Sequence, residues 1–419
     1  MNSQKDKHKT INPFHLTLLQ ILFFTVIGLP FAYIFDTEGY YFWLVRNVSK
    51  GIILESYGCV LYAFTVIIGL YYLLGLNRKV LKYQSLDLVY KPYKSYKRLW
   101  FISFTLACCC FFIVFAQSGF SHPGISAIGL SKSDYAVQRI TSGLLFNRNI
   151  LNLGLGLFSS FALVIALFIL KKPLILFITM VLTAALALFS LQKSPLADTV
   201  LLITFVYLFL KPLPWKKLLL IGIMCLIPIS ALWFISGGVS TVSMLSDSLK
   251  DRILYGQIGD LPYYFDLFSH HSISTQSMLP PYIQSLYGEP MQSASRLVME
   301  YTNAEAVAKG TAGVATSVFV GEAFAVGGIL GVLLSPYIVL LNYLLIIGIL
   351  TRLPKNIFNV FIFGYLFNKI TQAMLNSFGY FIFSSIQIII IIILYLTLIY
   401  LFTLSIKRKE NYIKSLVNK

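Results

Sequence analysis

The amino-acid sequence predicts an all-α polytopic membrane protein with about ten transmembrane helices, both termini in the cytoplasm and a large extracytoplasmic loop between the seventh and eighth. Composition, run length and charge placement carry that expectation. Of 419 residues, 57% are hydrophobic and 12% charged, with a mean hydropathy of +0.78. Soluble domains carry roughly a quarter charged residues, so this much apolar surface has no water-soluble core to hide in. Apolar runs near spanning length fall at 12–35, 52–76, 99–117, 149–170, 174–191, 196–210, 218–237, 326–350, 356–376 and 381–404. The run from Phe14 to Phe35 is too long for a signal-peptide core and lacks a small-residue cleavage pattern, so it reads as a retained helix. The whole of 1–419 reads as one integral membrane domain, with 238–312 as its large external loop.

The formal net charge of +17 suggests nucleic-acid binding until the charges are placed. With the N-terminus inside and sides alternating, 22 of the 33 Lys and Arg residues fall on the cytoplasmic side, against three of the 16 acids. That side carries +19 and the other −2, the positive-inside asymmetry of an even number of spans. The basicity is thus a topology signal with attraction to anionic membrane lipid, and no nucleic-acid partner is expected. Cys59, Cys108, Cys109, Cys110 and Cys225 all lie within apolar runs without metal-ligand spacing, so they read as small packing residues.

The cytoplasmic connections are short apart from the basic 77–98 segment, so chemistry is sought on the outside, in 36–51, 118–148 and 238–312. Ionisable groups in membrane helices are costly and point to function. Glu55, Lys193, Asp198, Glu322 and Lys369 are such groups, in the outer half of the membrane or at its surface. Snorkelling or interhelical ion pairing explains each of them equally in isolation. External Arg46, Lys50, Lys132, Arg139, Arg148, Lys250, Arg252, Arg296 and Lys309 add cations. Arginine grips phosphate with a planar fork, which suits a lipid diphosphate, although solvated loop surface is the plain alternative. His270 and His271 diverge as neighbours and make a poor metal pair, but either could serve as a general base. Asp36 and Glu38 form a carboxylate pair that reads better as a solvated helix end than as a divalent-ion site; no metal or other cofactor is expected. Tyr255, Tyr263, Tyr264, Tyr282, Tyr287 and Tyr301 offer flat amphipathic faces for sugar rings or for an interfacial belt.

Residues 316–331, Thr-Ser-Val-Phe-Val-Gly-Glu-Ala-Phe-Ala-Val-Gly-Gly-Ile-Leu-Gly, resemble the stretch after the large periplasmic loop of Wzy-type oligosaccharide repeat-unit polymerases. Other pieces follow in order. Phe115-Ala116-Gln117-Ser118-Gly119-Phe120 is similar to the end of an earlier outward span. Gln192-Lys193-Ser194-Pro195 stands at an external turn where such proteins often carry Gly-x-Arg. Leu279-Pro280-Pro281-Tyr282 through Pro290 and Arg296 resembles the late, Pro-rich part of the loop. Lys193 stands where arginine is common, and Gln372 lies in a region where relatives often show arginine, with Lys369 one turn earlier. The resemblance implies a glycosyltransferase of the bacterial cytoplasmic (inner) membrane. It would polymerise undecaprenyl-diphosphate-linked repeat units into O-antigen, capsule or a related polysaccharide, beside a chain-length regulator protein. It implies a diphosphate-binding set drawn from Lys193, Arg252, Arg296, Arg139, Arg148 and Lys369, and a base drawn from His270, His271, Glu322 or an external aspartate. Gly327 and Gly328 would allow close helix approach near the site. An O-antigen ligase-like enzyme, a metal-dependent transferase using Asp36 and Glu38, and a polysaccharide flippase are the competing expectations.

Overall fold

The computed structural model describes residues 10–26, 28, 48–89, 93–127, 138, 141, 145–191, 194–211, 213–214, 258–279, 284, 288, 292–308, 315, 317–379 and 381–382. The chain is a helical multi-pass membrane protein. Lys50–Leu73, Tyr93–Gln117, Arg148–Leu170 and Phe319–Leu350 are each long and apolar enough to cross a bilayer, and Pro173–Phe189 and Ser194–Leu210 are shorter apolar helices. The expected span at 218–237, the one at 381–404 beyond its first two residues, and the latter part of the first lie outside the described residues, as do both termini.

In chain order, strand β1 (Thr10–Ile11) leads into α1 (Pro13–Ile21), whose start is fixed by Asn12. The Asn12 side chain accepts from the His15 N–H at 2.9 Å, and proline at the first helical position needs no such partner. Helix α2 (Lys50–Leu73) is capped by Ser49 and ended by Gly75, whose φ of 68° turns the chain into α3 (Leu76–Ser85). Helix α3 buries Leu76, Val80, Tyr83 and Gln84 and exposes Arg78, Lys79 and Lys82, an amphipathic pattern that lays it along one end of the bundle. Helix α4 (Tyr93–Gln117) starts six residues before its apolar run at 99, because Lys94, Lys97 and Arg98 are good helix formers that extend it into the polar zone. Helix α5 (Arg148–Leu170) carries two wide-turn stretches, Leu153–Ser159 and Ala166–Leu170. In the first, the Ser159 and Ser160 hydroxyls both donate to the Leu155 carbonyl, at 3.0 and 2.7 Å. Gly154 there faces Cys110 so closely that a Cβ would stand 2.7 Å from the cysteine Cβ, so buried Cys110 is a packing residue, as expected. Helices α6 (Pro173–Phe189) and α7 (Ser194–Leu210) follow, then strand β2 (Leu213–Pro214), which pairs antiparallel with β1. The stretch between α7 and the last two long helices supplies α8 (Leu261–Phe268) and α9 (Ala294–Thr302), and the chain ends its described course with α10 (Phe319–Leu350) and α11 (Ile357–Asn376).

The basic connections gather on one face, as alternation from the sequence requires. Besides the β1–β2 pair, the Gln84 amide donates to the Leu208 carbonyl at 2.7 Å. Lys355, 3% exposed, sends its ammonium to the carbonyls of Gln84 (2.7 Å), Leu86 (2.8 Å) and Leu210 (3.3 Å), and its own carbonyl accepts from the Val89 N–H at 2.7 Å. One cation thereby caps the C-terminal ends of α3 and α7 and ties both to the α10–α11 turn. Burial pulls its pKa below the ordinary lysine value, and the Asp87 carboxylate partly offsets that pull.

The main departure from expectation is in α10. Gly328 (φ 55°, ψ −146°) breaks it into a half-helix, 319–327, and a spanning helix, 329–350. Gly331 abuts the carbonyl of Ala323, eight residues earlier, a contact that a straight helix would hold about 12 Å apart. The half-helix therefore doubles back beside the spanning helix. Ring contacts fix its depth. The Tyr62 hydroxyl donates to the Leu333 carbonyl at 3.3 Å and Tyr71 meets Tyr343 at 5.9 Å, so α2 and α10 run in parallel register. Phe319 meets Phe64 at 5.9 Å, which sets the start of the half-helix level with Pro336, about 12 Å below the break. The apolar run at 326–350 thus marks the spanning part well, and the residues ahead of it form a re-entrant segment. Gly327 and Gly328 face open space, so their expected role in close helix approach passes to Gly331, and Gly328 instead supplies a left-handed φ.

Candidate functional site

On the face opposite the basic connections, α8 packs against the half-helix. Phe265 stacks on Phe324 with ring centroids 4.0 Å apart, and Tyr264 sits against Gly321, where a Cβ would lie 3.0 Å from the ring. The break at Gly328 leaves carbonyls of the half-helix without helical donors, and the Ile273 N–H fills one by donating to the Ala325 carbonyl at 3.0 Å. The half-helix is buried on nearly every side, including Phe319, Val320, Ala323 and Ala325.

Glu322 lies in the first turn of this segment. Its Oε2 accepts from the Ser377 hydroxyl at 2.7 Å and the Gly379 N–H at 2.9 Å, both just past the end of α11. Both bonds go to one oxygen, which leaves Oε1 without a partner among the described residues. Above it, Tyr264 has its phenol pushed well up by burial, then by the Glu322 and Asp260 carboxylates. The turn after α11 is covered from the loop side by Met278, whose Cβ would stand 2.9 Å from a Cβ at Gly379.

Lower on α11 lies a second polar cluster. Lys369 and Asp198 interact electrostatically across the α7–α11 interface, and Gln372 faces the same carboxylate. Lys369 Nζ is 3.4 Å from Gln372 Oε1 and 5.6 Å from the Tyr365 ring centroid, and the Asn368 amide donates to the Asp198 carbonyl at 3.2 Å. Asn368 Oδ1 is buried without a hydrogen-bond partner among the described residues. Close backbone contact at Gly364, where a Cβ would lie 3.0 Å from the Val206 nitrogen, brings the two helices this near. Depth follows from Phe367, which meets Tyr343 at 5.4 Å on the antiparallel α10. Lys369 then lies roughly 14 Å from the basic end of a spanning helix about 33 Å long, nearer the middle than the outer surface. By sequence it stands two-thirds along its helix, in the outer half of the membrane or at its surface; the ring contact sets it close to mid-depth.

The other expected site residues scatter. Arg296 forms an ion pair with Glu300 at 3.3 Å along α9, half-buried, with Gln292 also reaching Glu300 at 3.4 Å. Arg148 is exposed at the start of α5, where the Asn147 N–H donates to the Gln117 side chain at 2.9 Å and joins α4 to α5. His270 and His271 are exposed just past α8. Glu55 is exposed on α2. Beside α9, the Tyr301 hydroxyl donates to Asp266 Oδ2 at 2.8 Å, and Tyr263 lies 6.4 Å from the Tyr301 ring. Lys193, Arg139, Arg252, Lys132, Lys250, Lys309, Arg46, Asp36, Glu38, Tyr255, Tyr282 and Tyr287 lie outside the described residues.

Sequence reasoning singled out Glu322, Asp198, Lys369 and Gln372 one by one and missed their partners. Ser377, Gly379 and Asn368 carry no charge or motif that would mark them. Among the described residues no group of three or more His, Cys, Asp or Glu side chains could hold a metal ion. No family model, curated protein or solved structure matches the chain.

Proposed function

We propose that this chain is a Wzy-type polymerase. It would span the bacterial cytoplasmic membrane about ten times with both termini inside, and join undecaprenyl-diphosphate-linked repeat units at the outer leaflet. The observation that carries the reading is the fate of residues 316–331, the segment with the family resemblance. Its half-helix holds a carboxylate against the end of α11, and α11 carries the Lys369 cation two turns below. In the reaction, an acceptor sugar hydroxyl bonds to the anomeric carbon of the donor glycan. The anomeric carbon–oxygen bond to the diphosphate breaks, and the diphosphate leaves with the electron pair. Cations offset the charge that develops on it, with Lys369 and the external Lys193, Arg139, Arg148, Arg252 and Arg296 as the pool. The hydroxyl proton passes to a carboxylate or imidazole. Glu322 is the best-held of those bases, with Oε2 anchored and Oε1 without a partner among the described residues, whereas His270 and His271 stand exposed.

The test is the surface-polysaccharide profile of a deletion strain complemented with Glu322→Gln or Lys369→Gln. The reading expects single displayed repeat units in the deletion and a loss on the order of 100-fold in polymer for Glu322→Gln. Wild-type chain lengths from both variants at normal protein levels would refute it. One observation favours a second reading, a lipid-linked glycan flippase: a charged pair near mid-depth beside a broken helix is a transporter feature. In that case the deletion strain traps repeat units at the inner leaflet and displays none.

A further inference from the structure

The strongest feature outside the site lies on the basic face, where α4, α5 and α6 meet. Lys94, Lys97 and Arg98 occupy the first turns of α4 and are exposed, and exposed Lys171 and Lys172 form the turn between α5 and α6. That turn is fixed in place. Lys171 adopts φ 51° and donates its N–H to the Ala166 carbonyl at 2.9 Å, while Lys172 Nζ stands 6.0 Å over the Tyr93 ring. Two turns further into the bundle, Trp100 Nε1 donates to Thr179 Oγ1 at 3.0 Å and ties α4 to α6. The five cations stand at the basic ends of α4 and α6, with Lys97, Lys171 and Lys172 beside the groove between them. Helices α4, α5 and α6 contain no Asp or Glu, so their own residues do not balance that charge.

Just past the cations the exposed surface turns apolar. Phe101 and Ile102 follow Arg98 by one turn on α4, and Leu174, Phe177 and Ile178 line the exposed stripe of α6. A cationic mouth over an apolar, outward-facing groove complements an amphiphile with an anionic head, and basic pockets between membrane helices on the cytoplasmic side are where such lipids bind. We propose that this groove binds an anionic phospholipid of the leaflet at the basic face. Its phosphate is held by Lys97, Lys171 and Lys172, and its acyl chains lie against Phe101 and Ile178. A soluble phosphate would match the cations but leave the apolar stripes unexplained. The inference is independent of the glycan chemistry.

The test uses the purified full chain in detergent, with binding of cardiolipin, phosphatidylglycerol and phosphatidylethanolamine read by native mass spectrometry. The variant Lys97→Gln/Lys171→Gln/Lys172→Gln is compared with Arg78→Gln/Lys79→Gln/Lys82→Gln, which removes the same charge from α3 on the same face. Each near-surface cation contributes about fivefold, so the groove variant should bind anionic lipid on the order of 100-fold more weakly, with the α3 variant within about threefold of wild type. Inorganic phosphate in millimolar excess should not displace the lipid. Equal losses in both variants, displacement by phosphate, or no preference for anionic over zwitterionic lipid would each overturn the proposal. If the triple variant does not elute as wild type, the pair Lys172→Gln and Lys172→Arg decides: the first should lose about fivefold and the second nothing.

Discussion

The re-entrant turn in α10 yields the sharpest prediction, because two glycines four residues apart should respond in opposite directions. At Gly331 an added Cβ would fall inside the contact distance of the Ala323 carbonyl oxygen and 3.1 Å from its carbon. The obstacle is backbone, so the half-helix must move outward as a unit and loosen Phe319, Val320 and Phe324, all buried. Overpacking of that kind costs about 1–3 kcal/mol, which outweighs a helix-propensity gain of up to ~1 kcal/mol. Gly327 is exposed and a Cβ there would meet nothing within 4 Å, so Gly327→Ala should keep the propensity gain. The two variants are expected to differ by roughly 2 kcal/mol. Thermal unfolding in detergent at a fixed scan rate, followed by tryptophan fluorescence, reads the difference as a midpoint several degrees lower for Gly331→Ala. Equal midpoints, or a lower one for Gly327→Ala, would show that the segment does not double back.

Further outcomes follow from other contacts. Lys355→Met leaves the carbonyls of Gln84, Leu86 and Leu210 without their donor, a loss of about 2–4 kcal/mol that should appear as faster trypsin cleavage in the 86–98 connection; an unchanged rate would deny the ammonium its capping role. Phe265→Ala removes a fully buried ring stacked on Phe324 and should cost about 3–4 kcal/mol, seen as a lower midpoint together with faster amide exchange at 261–273. The Tyr301 phenol is held above its ordinary pKa by its hydrogen bond to Asp266, then by burial. Its contribution is therefore complete below pH about 10 and lost as pH rises through the higher folded value, so Tyr301→Phe should remove that alkaline loss in a pH series of melting midpoints.

Much of the fold is legible in the sequence because lipid imposes a single-variable code. Run length and lysine placement set seven described helices close to their observed limits, and the contacts of β1, Gln84 and Lys355 bring together the connections that charge counting assigns to one side. What escapes is everything that depends on two segments at once. The half-helix at 319–327 is apolar apart from Glu322 and runs straight into the span that follows, so hydropathy merges or skips it, and Gly328 alone hints at the break. At the site, charge inside an apolar run flags Asp198, Lys369 and Glu322, but not which of them meet. Asp198 and Lys369 are 171 positions apart in the chain and become neighbours only because Gly364 lets α7 and α11 approach. Of the arginines expected outside, Arg296 pairs with Glu300 along α9 and Arg148 lies at the start of α5.

The Lys355 cap also has a place in time. Its ammonium closes onto Gln84, 271 residues earlier, and onto Leu210, 145 residues earlier. At a synthesis rate of about 5–20 residues per second, those carbonyls wait roughly 10–50 s, hydrated at the membrane surface, before their donor emerges. The basic face of the bundle is therefore sealed only once Lys355 has been made. A nascent chain stalled between α10 and α11 would hold its early helices inserted but unfastened, which makes that turn the natural checkpoint for quality control of an incomplete protein.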